Sequence, residues 1–300
     1  LITSNFNNSE IMYFKNNISL KKQLKNLLLI SISIILFSCE DVVDVDVPTE
    51  EPRLVIEASL DWEKGTTGND QTIKLSMSTP YFDTTPSPVS GAMVKVTNET
   101  NGSIFIFNDQ EDGRYTISNF EPIINHTYFL EVSYDNEIYT ATETLFAVPD
   151  FNRIEQSYDM GFDDEALAVT YYFDDPPNIE NYYLSSFQEV GELFQNLEDM
   201  SDEFTDGNEM FNFYEKDNDN GEDDDNFQPG DVVDISLYGI SETYYNFISL
   251  LIEQYDSGGD PFSAIPAEIK GNCINLIHPE NYAYGYFRVT EVVRASYTIE

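Results

Sequence analysis

The chain is 300 residues long and carries 14 Lys and Arg against 55 Asp and Glu, a formal net charge of −41. A field of that sign repels phosphate backbones and anionic headgroups, which excludes nucleic-acid binding. An apolar content of 41%, with 21 Phe and 20 Tyr, argues against global disorder and for strand-rich structure, while two His cannot build a His-rich metal site.

Residues 1–11, LITSNFNNSEI, lack an initiator methionine and precede Met12, so they are expected to be upstream read-through outside the fold. Residues 12–38 read as a signal peptide. Lys15, Lys21, Lys22 and Lys25 lead into an apolar run from Leu27 to Phe37, broken only by Ser31 and Ser33. Eleven residues fall well short of the roughly 20 that a spanning helix needs. Leu36-Phe37-Ser38-Cys39 resembles a bacterial lipobox, which implies that the Cys39 thiol is acylated. Acyl chains stabilise membrane attachment by about 0.8 kcal/mol per buried methylene, so two or three of them hold a protein at a bilayer. Ordinary secretion and a buried helix are the competing readings. Residues 39–52 then form an acidic tether with Pro48 and Pro52. Its acids resemble the signals that send some Bacteroidota lipoproteins to the outer face of the outer membrane; a plain solvated tether is the alternative.

From residue 53 to 148 the pattern alternates. RLVIEASL, TIKLSMS, AMVKVTN, SIFIFN, RYTIS, TYFLEVSY and EIYTATETL are separated by turn clusters rich in Gly, Asn, Asp and Pro. Seven short strands at that spacing predict an antiparallel β-sandwich, immunoglobulin- or transthyretin-like. Gly91-Ala92, Gly113-x-Tyr115 and Tyr128-x-Leu130-x-Val132 resemble the carboxypeptidase-regulatory or transthyretin-like sandwich, and such modules are usually non-catalytic.

AVPDFNRI, residues 147–154, marks the expected boundary to a β-rich C-terminal domain, 149–300, with an acidic loop at 198–226 and one amphipathic helix at 241–256. Ser241 caps that helix, Glu242 favours its first turn, and Gly258-Gly259 stop it. Tyr244, Phe247, Ile248, Leu251, Ile252 and Tyr255 recur at steps of three and four and predict one apolar face. The final YAYGYFRVTEVVRASYTIE again reads as strand.

Chemistry is sparse. H-E-x-x-H, C-x-x-C, G-x-S-x-G and P-loop motifs do not occur. His126 and His278 sit in turn-like contexts, and Cys273 in IKGNCINLI reads as a buried small hydrophobe. With Cys39 acylated, Cys273 has no disulfide partner in the chain. Asp217, Asp219 and Asp223, around Gly221, are the sharpest metal candidate: alternate carboxylates offer oxygens to Ca²⁺. The order departs from an EF-hand, and a self-repelling solvated loop is the plainer reading. The pairs Tyr171-Tyr172, Tyr182-Tyr183 and Tyr244-Tyr245 invite a glycan-stacking role, but strand neighbours point to opposite sides, so core packing is the expectation.

Together, CEDVVDVDVP, PRLVIEASL, LSMSTPYFD, PVSGAMVKV, DPPNIENYY, DPF with Gly271-Asn272, and YGYF at 284–287 resemble the Bacteroidota outer-membrane lipoprotein family known as domain of unknown function 4249. The resemblance covers residues 39–300 and implies an outer-membrane lipoprotein, surface-exposed or periplasm-facing, often encoded near TonB-dependent transporters. It carries over no catalytic residues. Members tend to continue past the GYF strand, which implies a shortened C-terminus here. The resulting expectation is a lipid-anchored, non-enzymatic binding or accessory protein without a cofactor, Ca²⁺ apart. Its partners would be the membrane and a TonB-dependent transporter or a surface glycan or peptide. A carboxylate-dependent hydrolase and a structural or adhesive protein are the alternatives.

Overall fold

Alternation decides which face of each strand is buried. Leu54, Ile56, Ala58 and Leu60 all fall on one side of the first strand, and each is almost fully buried. The computed structural model describes residues 51–80, 85–161, 166–216, 226–257 and 269–300. Its first half contains β1 (Leu54–Glu63), β2 (Gln71–Met77), β3 (Ser87–Pro88), β4 (Met93–Asn98), β5 (Ile104–Asp109), β6 (Arg114–Ile117), β7 (Thr127–Tyr134) and β8 (Glu137–Thr144). The second half adds β9 (Phe151–Ser157), β10 (Ala168–Asp174), β11 (Tyr182–Glu189), β12 (Asn196–Ser201), β13 (Glu209–Tyr214) and β14 (Val232–Ile240). Helix α1 (Glu242–Asp256), β15 (Ile274–Asn275) and β16 (Tyr284–Thr298) complete it. The protein is mainly β, with one helix among the described residues.

A single curled sheet runs β12-β11-β14-β16-β1-β2-β6-β5-β4-β7-β8-β15, with β3 alongside β2. Strand β5 turns the corner: Ile104 to Phe107 pair with β4, whereas Asn108 and Asp109 pair with β6. The sheet therefore folds over itself and encloses a first core that includes Ile56, Leu75, Val96, Tyr115, Leu130 and Phe287. Most pairs are antiparallel, as expected. The exception is β1 with β16, which run parallel from Val55↔Tyr284 to Glu63↔Val292.

That parallel pair crosses the boundary expected near residue 148. The 15-residue β16 lies against β1 with its first part and against β14, antiparallel, from Val292↔Tyr238 to Thr298↔Val232. Phe287 and Val289 accordingly belong to the first core, while Val293 and Tyr297 pack against a second. The second core lies between β11-β14-β16 and a separate three-stranded sheet, β13-β10-β9. On the opposite face of β11 and β14, Leu184 and Tyr238 pack with Tyr244 and Ile248 of α1. With both faces covered, β11 from Tyr183 to Phe187 and β14 from Leu237 to Ile240 are buried at consecutive positions, which blurs the period-two signal in their sequence.

Two sequence-based expectations need correction. Residues 198–226 are not one acidic loop: they include the end of β12 and all of β13, whose Met210 packs in the second core. Acidic composition masked the short strand EMFNFY. The apolar face of α1 is also narrower than its sequence suggests. Tyr244 and Ile248 are buried and Phe247 and Ile252 partly so, but Leu251 is 43% and Tyr255 79% exposed. The first turns of the helix pack on β11, β14 and β16, while Tyr255 in its last turn is exposed. Ser241 does cap it, accepting from the Tyr244 N–H at 3.1 Å. No helix of the described residues is long and apolar enough to cross a membrane.

Candidate functional site

Two corners pass side by side at one end of the second core. Strand β10 belongs to the three-stranded sheet and β11 to the large one, so residues 175–181 must cross between them; residues 202–208 make the reverse crossing from β12 to β13. Pro176 and Pro177 end β10, since proline cannot donate to a ladder. The corners lie close: a Cβ on Gly207 would stand 2.7 Å from the Pro177 Cβ, so only glycine fits there. Backbone bonds tie them together, from the Asp175 N–H to the Asn208 carbonyl at 3.0 Å and from the Asp202 N–H to the Asn181 carbonyl at 3.2 Å.

Between these corners three carboxylates converge. Asp175, Asp202 and Asp206 each place a ligating oxygen within 4.8 Å of the others. Asp175 is 4% and Asp202 2% exposed, whereas Asp206 is at the surface. Asp175 is firmly oriented. Its Oδ1 accepts from the buried Tyr183 hydroxyl at 2.6 Å and its Oδ2 from the Gly207 N–H at 3.0 Å. Asp206 Oδ1 accepts from the Asn178 N–H at 2.7 Å. Asp202 is different: its Oδ2 is buried and has no hydrogen-bond partner, and the buried Oδ1 of Asn181 also lacks one. Burial raises the pKa of the Asp202 carboxyl, and the charges of Asp175 and Asp206 raise it further, against the Asn181 backbone that lowers it. Burial and the Asp175 carboxylate likewise raise the pKa of Tyr183, keeping its hydroxyl a neutral donor. None of the three acids is ion-paired among the described residues; the nearby Arg153 pairs instead with Glu209 and Glu155. A buried carboxylate oxygen without a donor is costly unless a proton or a cation compensates it.

Cys39, Asp217, Asp219 and Asp223, the residues singled out from sequence, all lie outside the described residues. The two histidines do not meet a nucleophile. His126 Nδ1 is 2.9 Å from the Asn98 side-chain nitrogen, and His278 Nδ1 is 2.8 Å from Glu137 Oε1. Tyr171 and Tyr183 enter the second core, while Tyr172 lies on the other face of β10 beneath the Arg153 guanidinium, 3.5 Å from its ring centroid. Two surface grooves, of 330 and 360 Å³, hold a single carboxylate between them, Asp70 in the first. Sequence reading missed the carboxylate trio because Asp175 and Asp202 are remote along the chain and meet only through the two crossings. The nearest signal was DDPPNIEN, in which acids abut a proline turn.

Cys273 is 2% exposed in the first core, and burial pushes its thiol up to about 12. At pH 8 roughly one thiol in 10⁴ is then ionised, and the thiolate is the nucleophile. Iodoacetamide is expected to leave Cys273 unlabelled in the native protein and to label it fully in urea. Peptide mass spectrometry reads this out, and rapid native labelling would contradict the burial.

The family model described as "Domain of unknown function (DUF4249)" matches residues 40–296. No curated protein sequence matches the chain. Among solved structures it is similar to a DUF4785 family protein from Legionella pneumophila, at 15% identity and a TM-score of 0.26, covering 62% of this chain and 52% of that one. It is also similar to the FN1–FN3 domains of chicken CNTN1, at 10% identity and a TM-score of 0.26, covering 65% and 62%. A two-domain fibronectin type III segment of chicken tenascin gives 11% identity and a TM-score of 0.20, covering 64% and 92%. The chain thus spans about half of the Legionella protein and under two thirds of the CNTN1 segment.

Proposed function

The chain belongs to the DUF4249 family, and from that premise we propose that it is a lipid-anchored outer-membrane protein that binds a partner rather than catalysing a reaction. The observation that carries this reading is the order of residues 12–39: lysines, a short apolar run, then Leu36-Phe37-Ser38-Cys39. Acyl chains on Cys39 hold the chain at the bilayer. A TonB-dependent transporter is the partner that the family resemblance implies, with a surface glycan or peptide as the alternative. Large apolar side chains exposed at loop tips support a binding role: Leu193 is 88% and Phe194 80% exposed on the β11–β12 hairpin. Expression with the native leader, followed by membrane fractionation and mass spectrometry of the N-terminal peptide, tests the anchor. A diacylglyceryl mass on Cys39 and co-purification of a transporter after detergent extraction are expected. An unmodified residue 39, or protein recovered free of membranes, would overturn the reading.

A further inference from the structure

We propose that Asp175, Asp202 and Asp206 bind a calcium ion that clamps the β10–β11 corner to the β12–β13 corner. Three carboxylate oxygens within 4.8 Å of one another are spaced for one cation. Two of these acids are almost fully buried, and no lysine, arginine or histidine pairs with any of them among the described residues. The independent sign of a ligand is Asp202 Oδ2. It sits on a side chain only 2% exposed and has no donor, where the folded protein gives nearly every buried oxygen a partner. Asn181, whose carbonyl accepts from the Asp202 N–H, carries a second buried oxygen without a partner, Oδ1.

The donors that hold these acids are arranged as the outer shell of a metal site is. Tyr183 and the Gly207 N–H fix Asp175, and the Asn178 N–H fixes Asp206. The oxygen-only donor set selects a hard cation over zinc or copper. Irregular donors on two corners suit the flexible coordination of Ca²⁺ better than the strict octahedron of Mg²⁺. The clamp is independent of the anchor at Cys39 and of any transporter. Its consequence is local: the corners it joins carry Ile179 and Phe204, which are 58% and 90% exposed.

The experiment is calcium titration of the chelator-stripped full chain by calorimetry, paired with terbium luminescence excited through tyrosine, Tyr183 being hydrogen-bonded to a ligand. One saturable calcium per chain outside residues 217–223 is expected, with a dissociation constant below about 1 mM. Tyrosine-sensitised terbium emission is expected to be displaced by calcium before magnesium. Asp206→Asn, at an exposed position whose fold is checked by circular dichroism, is expected to weaken binding by about tenfold or more. A combined Asp217→Asn, Asp219→Asn and Asp223→Asn variant is expected to leave this site unchanged. Absence of saturable binding at about 5 mM calcium would overturn the proposal. So would binding that survives Asp206→Asn and disappears in the triple variant.

Discussion

Gly285→Ala is expected to destabilise the protein by about 2–5 kcal/mol, among the largest effects of removing no side chain at all. Gly285 has φ +88°, a conformation that costs other residues about 1–2 kcal/mol. The steric cost is greater. A Cβ at this position would lie 2.2 Å from the Ile56 carbonyl oxygen and 2.8 Å from its carbon, both of them backbone atoms. Ile56↔Gly285 is one rung of the β1–β16 ladder, so relief requires the two strands to part. That ladder joins the last strand to the first sandwich, and the loss spreads to the burial of Phe287 and Val289. Gly91→Ala provides the control: its φ is +80°, yet an added Cβ meets nothing within 4 Å. It should lose only the conformational part. Urea denaturation of both variants separates backbone strain from steric clash, and equal losses would show that the close approach at Ile56 does not matter.

How much of this was legible beforehand depends on where each signal is stored. Local patterns carried well. In β1 and β4 the inward residues alternate, and Ser241 announces the start of α1. Long-range pairings did not carry. YGYFRVTEVVRASYT reads as a strand, but nothing within it says that its first part faces β1 in parallel and its second part β14. The same holds for the candidate site. Asp175 and Asp202 are ordinary acids in a chain with 55 of them, and only the paired corners make them neighbours. Residues 217–223 drew attention because their acids are adjacent in sequence, whereas a carboxylate becomes informative when one of its oxygens is buried without a donor, as Oδ2 of Asp202 is. The aromatic pairs were legible for a third reason: alternation alone sends Tyr171 inward and Tyr172 outward.

Asp61→Asn is expected to cost about 2–3 kcal/mol, more than Arg288→Met at the other end of the same ion pair. Arg288, on β16, is 8% exposed, and its guanidinium donates to Asp61 Oδ1 at 2.8 Å and to the Tyr244 hydroxyl at 3.1 Å. It sits about 5 Å from the ring centroids of Tyr238 and Tyr244, joining α1, β14 and β1 through one side chain. Its Nε has no partner, so the site is not over-supplied with acceptors. Asn at position 61 keeps the shape and one acceptor but removes the neutralising charge, leaving a guanidinium that cannot lose its proton in an apolar setting. Glu143, buried nearby, compensates only in part: burial raises its pKa, and Arg288 is a minor influence lowering it. The reverse change is milder for two reasons. Methionine replaces the buried charge with apolar volume of similar length, and the carboxylate left behind is 24% exposed and retains Arg294 at 3.7 Å. A double-mutant cycle makes the asymmetry testable. If Asp61→Asn combined with Arg288→Met is more stable than Asp61→Asn alone, the loss came from a stranded buried cation. If the two losses simply add, the pair is a surface contact and Arg288 holds α1 through Tyr244 alone.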